Sequence, residues 1–383
     1  MKIVTVVGAR PQFVKAAAVS RAIRKHNTNC GTSGGTPIVE IIVHTGQHFD
    51  ENMSDIFFRE MEIPRPDYHL EINSLSHGAM TGRMLEKIEE VLLIEKPDFV
   101  LVYGDTNSTL AGALAAKKLY IKVMHVEAGL RSYNMRMPEE INRILTDRIS
   151  DILCCPTVTA VNNLCKEGFS VDGPPVSENS IAATCPMVIK TGDVMQDAVL
   201  YYGSLSVERS TIVRDLSLEG KPFALCTIHR AENADDPSRL RNIFEALLDI
   251  GRSLPIVLPL HPRTRKYVDA LMIPDLKESK VLNIIPPIGY FDMLELLKMT
   301  QIVLTDSGGL QKEAYFFGKP CVTLRDETEW VELVEYGFNM LAGAEKGKII
   351  AYVNEMRGKK IVEAKELYGD GTASCKIVSL LSS

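Results

Sequence analysis

Met1-Lys2-Ile3-Val4-Thr5-Val6-Val7-Gly8-Ala9-Arg10-Pro11-Gln12-Phe13-Val14-Lys15 opens the chain, and its reading decides the fold. Ile3–Val7 is a continuously apolar run, the composition of a strand buried on both faces. Gly8 permits a tight turn and Pro11 suits the start of a helix, so the strand runs directly into a helix. The pairing recurs. Further strands are read at Ile38–Val43, Phe99–Tyr103, Val123–Val126 and Ile152–Cys155. Between them, His77–Ile94 repeats Met80, Met84, Ile88, Val91 and Leu92 at helical steps. This alternation predicts an α/β protein with parallel, doubly wound sheets. One more helix follows Cys155. The stretch from Ser170 to Pro186 then reads as a Gly/Pro/Ser-rich linker. The alternation resumes with strands at Val188–Lys190, Phe223–Ile228, Ile256–Leu260, Leu282–Ile285, Ile302–Thr305 and Cys321–Leu324. Two Rossmann-like domains are expected, 1–190 and 191–372. Asn27–Pro37 reads as a flexible surface loop.

The whole chain agrees with two domains, since 383 residues exceed one ordinary domain. Forty-three basic against 49 acidic residues give a net charge of −6. No general basic excess serves nucleic acid or an anionic membrane, so any anionic ligand must be met by local cations. The eight cysteines contain no C-x-x-C pair and read as reduced thiols of a cytoplasmic protein, not as zinc ligands. The N-terminus is a strand, not a signal peptide, and no apolar run approaches the roughly 20 residues of a membrane span.

In open α/β sheets, ligands bind beyond the carboxyl ends of the strands. Polar residues cluster at those positions. Arg10 and Lys15 follow the first strand at a helix start, where anions are favoured. Only one glycine stands there, so it is not a dinucleotide fingerprint. Gly104-Asp105-Thr106 follows the third strand. His125-Val126-Glu127-Ala128-Gly129-Leu130-Arg131 ends the fourth, and Pro138-Glu139-Glu140-Ile141-Asn142-Arg143 opens a helix. Glu140 suits a plain complement to the helix dipole, whereas Asp105 and Glu127 at strand ends suit acid/base work. In the second half, His229 stands beside Arg230 and Glu232, and His261 is a weaker candidate of the same kind. Asp306-Ser307-Gly308-Gly309 turns a buried strand into a helix, with small residues that let backbone N–H groups approach a phosphate. Glu313, one turn on, is placed to accept from ribose hydroxyls. A cleft for a nucleoside diphosphate carrying a small group is expected. Spacing alone leaves transfer, hydrolysis and epimerisation open.

Together these motifs resemble the non-hydrolysing UDP-N-acetylglucosamine 2-epimerase family across essentially the whole chain. The matches run from Gly8-Ala9-Arg10-Pro11 through Glu127-Ala128-Gly129-Leu130-Arg131 and Ser307-Gly308-Gly309 to Tyr368-Gly369-Asp370-Gly371. The resemblance implies the GT-B architecture, a homodimer, a UDP-sugar substrate, and a last helix, 373–383, that crosses back to the first domain. It implies no metal and no nicotinamide. A proton leaves sugar carbon 2 as UDP leaves carbon 1, and both return with the proton on the opposite face. By matching position, Asp105, Glu127 and Glu139 are the acid/base carboxylates and His229 assists the leaving diphosphate. Arg10, Lys15, Arg143, Ser307, Gly308, Gly309 and Glu313 hold the substrate.

Departures bear on which sugar is used. Family members acting on the N-acetylglucosamine nucleotide usually carry Glu at Gln12 and Arg at Trp330, with an uncharged segment where Arg136 stands. The pattern resembles the branch acting on UDP-2,3-diacetamido-2,3-dideoxy-D-glucuronate, whose sugar carries a carboxylate. UDP-N-acetylglucosamine is the alternative substrate. Gln47-His48-Phe49-Asp50-Glu51 lacks the Arg of the activator segment found in several members, so hyperbolic kinetics are expected. A GT-B glycosyltransferase would need an acceptor site, a hydrolysing epimerase would release free UDP and sugar, and a non-catalytic binding protein would not need the carboxylates.

Overall fold

The computed structural model describes the chain except residues 34, 48–60, 62, 172–185, 274, 275, 277, 278, 280, 362–364 and 383. It divides into two compact units, Met1–Leu200 with Lys365–Ser383, and Tyr201–Ala364.

The first unit holds strands β1 (Lys2–Val7), β2 (Val39–His44), β3 (Tyr68–His69), β4 (Phe99–Tyr103), β5 (Lys122–Val126), β6 (Ile152–Cys155) and β7 (Met187–Lys190). They form one parallel sheet in the order β3-β2-β1-β4-β5-β6-β7. Helices α1 (Arg10–Ser33), α2 (His77–Glu95), α3 (Asn107–Lys118), α4 (Pro138–Ile149) and α5 (Val158–Lys166) connect them. The strand interiors are sealed on both faces, with Val4, Val6, Val100, Leu101 and Val102 all fully buried. Each such side chain stabilises the fold by about 1.5–3 kcal/mol. Met84, Ile88, Val91 and Leu92 form the buried stripe of α2, and Met80 packs at its edge. That helix stops at Lys96, which turns left-handed and donates its N–H to the Leu92 carbonyl.

The expected loop at Asn27–Pro37 is corrected by the structure: α1 continues to Ser33. The polar residues there close hydrogen bonds instead of ending the helix. Asn27 bonds both the N–H and the carbonyl of Ile38, each at 2.8 Å, tying the helix end to the segment entering β2. Thr28 Oγ1 donates back to the Arg24 carbonyl. Polarity marked an exposed helix face, not a break.

Helix α6 (Val194–Arg209) leads out of the first unit. The second unit holds β8 (Ala224–Thr227), β9 (Ile256–Pro259), β10 (Leu282–Ile285), β11 (Ile302–Thr305), β12 (Cys321–Thr323) and β13 (Asn339–Leu341). They too form a parallel sheet, in the order β10-β9-β8-β11-β12-β13. Its helices are α7 (Ile212–Asp215), α8 (Ala231–Ala234), α9 (Pro237–Gly251), α10 (Pro262–Ala270), α11 (Tyr290–Met299), α12 (Gly308–Phe316), α13 (Val331–Glu335) and α14 (Lys346–Met356). In each sheet the chain winds outward one way and then the other from a central pair, β1 with β4 and β8 with β11. The strand order reverses at these pairs, which is where such sheets open a crevice for ligand.

Helices α15 (Lys365–Tyr368) and α16 (Ala373–Ser382) belong to the first unit, where α16 packs on α1 through an apolar face that includes Ile377, Val378 and Leu381. Asp197 holds the start of α16. Its carboxylate accepts from Ser374 N at 2.7 Å, Ser374 Oγ at 2.5 Å and Ala373 N at 3.2 Å. These bonds satisfy orphan donors of the first turn, as a local cap would. Burial nevertheless pushes the Asp197 carboxyl above its ordinary range, against the pull of the Ser374 and Ala373 bonds. Asp197→Ala is expected to cost about 1–3 kcal/mol in denaturant unfolding and to speed amide exchange across 374–382. Wild-type stability and exchange in that variant would contradict this anchoring.

Candidate active site

The first unit builds its site around a backbone distortion at the end of β5. Glu127 has φ +74, a left-handed conformation unusual for a residue with a side chain. It is held there because Glu127 N and Ala128 N both donate to one carbonyl, that of Cys154, at 3.1 Å each. The turn throws the carboxylate onto Lys15 Nζ in an ion pair that is nearly sealed from solvent. Lys15 comes from the second turn of α1. Gly104, at the end of β4 with φ +62, backs this pair. A Cβ at Gly104 would lie 3.2 Å from Lys15 Nζ and 3.4 Å from Glu127 Oε1.

Asp105 follows directly and stands before the N-terminus of α3, which is closed by a capping box between Thr106 and Thr109. Arg143 Nη2 donates to Asp105 Oδ2 at 2.5 Å, and its Nη1 donates to Glu140 at 2.9 Å. Asp105 stays partly open to solvent, 28% exposed, whereas Arg143 is 3% exposed. Glu140 is fully buried and accepts from Ser132 N, Ser132 Oγ and Tyr133 N, so it clamps the loop before α4. Glu139, its neighbour in the first turn, is half-buried. Thus Lys15, Glu127, Asp105 and Arg143 come together at the β1/β4 reversal and the adjoining end of β5. Arg10 begins α1, half-buried, and Arg136 is exposed on the loop before α4.

Beneath this surface lies a network whose centre, His125, Asp147 and Arg131, is buried and whose end, Glu167, is partly exposed. His125 Nδ1 meets Asp147 Oδ1, and its Nε2 meets the Gly104 carbonyl, each at 2.7 Å. Arg131 Nη1 donates to Asp147 Oδ2 at 2.7 Å and then forks onto Glu167 at 2.6 and 2.8 Å. Burial alone would raise the Asp147 carboxyl, but His125 and Arg131 overcome it and hold it below the ordinary carboxylate range.

Gln12, expected to bear on the sugar's charge, is spent on the backbone. Its Oε1 accepts from Gly8 N and Ala9 N at 2.8 and 3.0 Å, and its Nε2 donates to Tyr103 O and Thr109 Oγ1 at 2.9 and 3.0 Å. With four bonds and 1% exposure, its side chain is engaged within the protein and shapes the β1–α1 turn. Gln47, from the expected activator segment, accepts from Ser108 Oγ at 2.8 Å, and residues 48–51 lie outside the described residues.

In the second unit the central feature is Asp306, which ends β11 and is fully buried. Its carboxylate accepts from His229 N and Arg230 N, each at 3.1 Å, and from Asn233 Nδ2 at 3.2 Å. It also lies 3.1 Å from His229 Nδ1. Burial raises the Asp306 carboxyl, yet the His229 charge and these hydrogen bonds bring it below its ordinary range. The His229 side chain is 55% exposed, so Asp306 fixes a ring that faces solvent. Sequence reading passed over Asp306 as a site residue, although an acid directly after a buried strand was the available signal.

Ser307 caps α12 through its Oγ, which accepts from Leu310 N at 3.4 Å. Gly308 leaves close room: a Cβ there would run into Glu329 Oε1 and lie 3.3 Å from Trp330 Nε1, so the Glu329 carboxylate would have to move. Gly309 is half-exposed beside it. Glu313 is buried and accepts from Tyr290 OH at 3.0 Å. Trp330 is buried at the start of α13, with Lys312 Nζ over its ring, 3.8 Å from the centroid. His261 is exposed just before α10.

Because the folded-state carboxyl of Asp306 is lowered, its contribution to stability is present above its unfolded value and is lost as pH falls through the folded one. Asp306→Asn should therefore flatten the acid limb of the stability–pH curve below about pH 4, where an unfolded aspartate titrates. Denaturant melts across that range check this, and an unchanged acid limb would contradict it.

A protein-family model described as UDP-N-acetylglucosamine 2-epimerase matches residues 35–382. UDP-2,3-diacetamido-2,3-dideoxy-D-glucuronate 2-epimerase of Pseudomonas aeruginosa is 53% identical over 383 residues, covering 100% of this chain and 99% of that protein. A UDP-N-acetylglucosamine 2-epimerase homolog of Methanococcus maripaludis is 49% identical, with the same coverage of each chain. The crystal structure of Methanocaldococcus jannaschii UDP-GlcNAc 2-epimerase in complex with UDP-GlcNAc and UDP matches with a TM-score of 0.86 and 43% identity, over 100% of this chain and 99% of that one. The fold is thus the GT-B class of two parallel-sheet domains. The chain belongs to the UDP-N-acetylglucosamine 2-epimerase family.

Proposed function

We propose that this protein is a non-hydrolysing 2-epimerase of UDP-2,3-diacetamido-2,3-dideoxy-D-glucuronate, producing the manno epimer. The observation that carries this reading is 53% identity along the full chain to an enzyme of that name. Arg136 supports it, as an exposed cation beside Pro138-Glu139 that suits a sugar carboxylate. UDP-N-acetylglucosamine is the second reading, favoured by the 49% relative and by the structural use of Gln12, which removes one charge argument for the uronate.

In the proposed reaction a carboxylate of the set Asp105, Glu127 and Glu139 takes the proton from carbon 2. The carbon 1–oxygen bond breaks, its electron pair leaves with the UDP β-phosphate, and a carbon 1–carbon 2 double bond forms. A second member of the set returns a proton to the opposite face as the phosphate oxygen re-adds to carbon 1. Two carboxylates in different surroundings suit these opposed tasks: Glu127 sealed against Lys15, and Asp105 partly open against Arg143. Arg10, Lys15 and Arg143 supply local positive charge to the substrate. His229, aimed by Asp306, meets negative charge growing on the leaving diphosphate. Ser307, Gly308 and Gly309 present the α12 N-terminus to that diphosphate, and Glu313 accepts from the ribose.

The enzyme is further proposed to work as a homodimer in the cytoplasm. Exposed Ile141 and Leu145 on α4 suit a self-contact, and thiols buried in the cores, such as Cys154 and Cys321, suit a reducing compartment. No described helix is long and apolar enough to cross a membrane.

The purified protein, incubated with each UDP-sugar in deuterated water, should take deuterium into carbon 2 and epimerise the diacetamido-glucuronate nucleotide. Turnover and uptake with UDP-N-acetylglucosamine alone would contradict the uronate assignment.

A further inference from the structure

We propose that His125 and Asp147 are positioning residues for this epimerisation, fixing the two strand-end turns that present Asp105 and Glu127. The proposal rests on the function given above and deepens it. Both nitrogens of the His125 ring are engaged, one by the Asp147 carboxylate and the other by the Gly104 carbonyl. The ring is fully buried between β4 and α4, with no nitrogen left for a ligand.

Asp147 spends one oxygen on His125 and the other on Arg131 and on Gly129 N, the latter at 3.2 Å. The network therefore grips backbone at two places that matter. One is Gly104, directly before Asp105. The other is Gly129, two residues after Glu127. Gly104, Glu127 and Gly129 all have positive φ, at +62, +74 and +81. The two glycines adopt this conformation freely, whereas Glu127, which carries a Cβ, keeps it only where its surroundings over-determine it. Here the grip comes from below the sheet end, through groups that need not touch the substrate. Gly129 is itself pinned by packing, since a Cβ there would lie 2.5 Å from the Ala160 carbonyl.

Asp147→Asn tests this without changing side-chain size. One oxygen becomes an NH₂, which faces either Arg131 Nη1–H, donor against donor, or His125 Nδ1, where it is accepted only if that nitrogen carries no proton. The measurements are kcat and KM for the UDP-sugar with carbon 2 deuterium uptake, affinity for UDP alone, and the thermal midpoint of each preparation. The expected result is a fall in kcat of about 10²-fold, the scale of a 1 Å misplacement, with UDP affinity within about twofold of wild type. His125→Gln, which keeps one donor, is the second variant, and an intermediate loss of kcat with UDP affinity preserved is expected. A purely structural role would lower the thermal midpoint and leave kcat per folded molecule unchanged, and that result in either variant overturns the proposal. An active wild type with fully active variants refutes the positioning role alone. A wild type inert toward every UDP-sugar refutes the epimerase reading and the positioning role with it.

Discussion

The two amides of Glu127 and Ala128 converging on the Cys154 carbonyl are the constraint on which the first unit's chemistry depends. A strand that ended in ordinary extended backbone would send the Glu127 side chain elsewhere. The left-handed turn instead delivers a carboxylate to Lys15, which a different strand–helix junction has brought to the same place. Buried opposite charges are costly to desolvate, so such a pair is retained where geometry and hydrogen bonds compensate or where function requires it. Gly104 leaves the room the pair needs.

The second unit solves a related problem with the same residue types. In each unit a buried aspartate pairs with a histidine near the sheet's reversal, Asp147 with His125 and Asp306 with His229. The difference lies in exposure. His125 is sealed and spends both nitrogens on the protein, whereas the His229 side chain is more than half open. One pair is therefore closed within the protein and the other leaves a ring open to solvent. With a charge sum of −6, an anion must be met by local features such as the N-terminus of α12, which Ser307 caps.

Much of this was legible in the sequence, for physical reasons. Strands such as Phe99–Tyr103 and Ile302–Thr305 are continuous apolar runs because helices cover both faces. The short edge strands Tyr68–His69 and Asn339–Leu341 escaped, since two or three pairings at a sheet edge need no such run. The length of α1 escaped because its exposed last turns carry residues that usually make turns. Asp105, Glu127, Arg143 and Lys15 could be picked out from their places after strands or at helix starts. What spacing could not show was direction. Gln12 turns inward to Gly8 and Tyr103, Glu140 turns to Ser132, and Trp330 lies under Lys312. Asp147 is named by its hydrogen bonds, which depend on contacts that no local spacing records, whereas Asp306 had a local signal in its place directly after a buried strand.

The central claim is that carbon 2 inverts by loss and return of the UDP group. It is tested most directly with substrate carrying ¹⁸O in the bridge between sugar carbon 1 and the β-phosphate. If that bond breaks and the freed β-phosphate rotates before it re-adds, the label spreads from the bridge into the non-bridging β-phosphate positions during turnover. Such scrambling, accompanying epimerisation without accumulation of free UDP, is the predicted result. Full retention of the label in the bridge while carbon 2 epimerises would contradict the account.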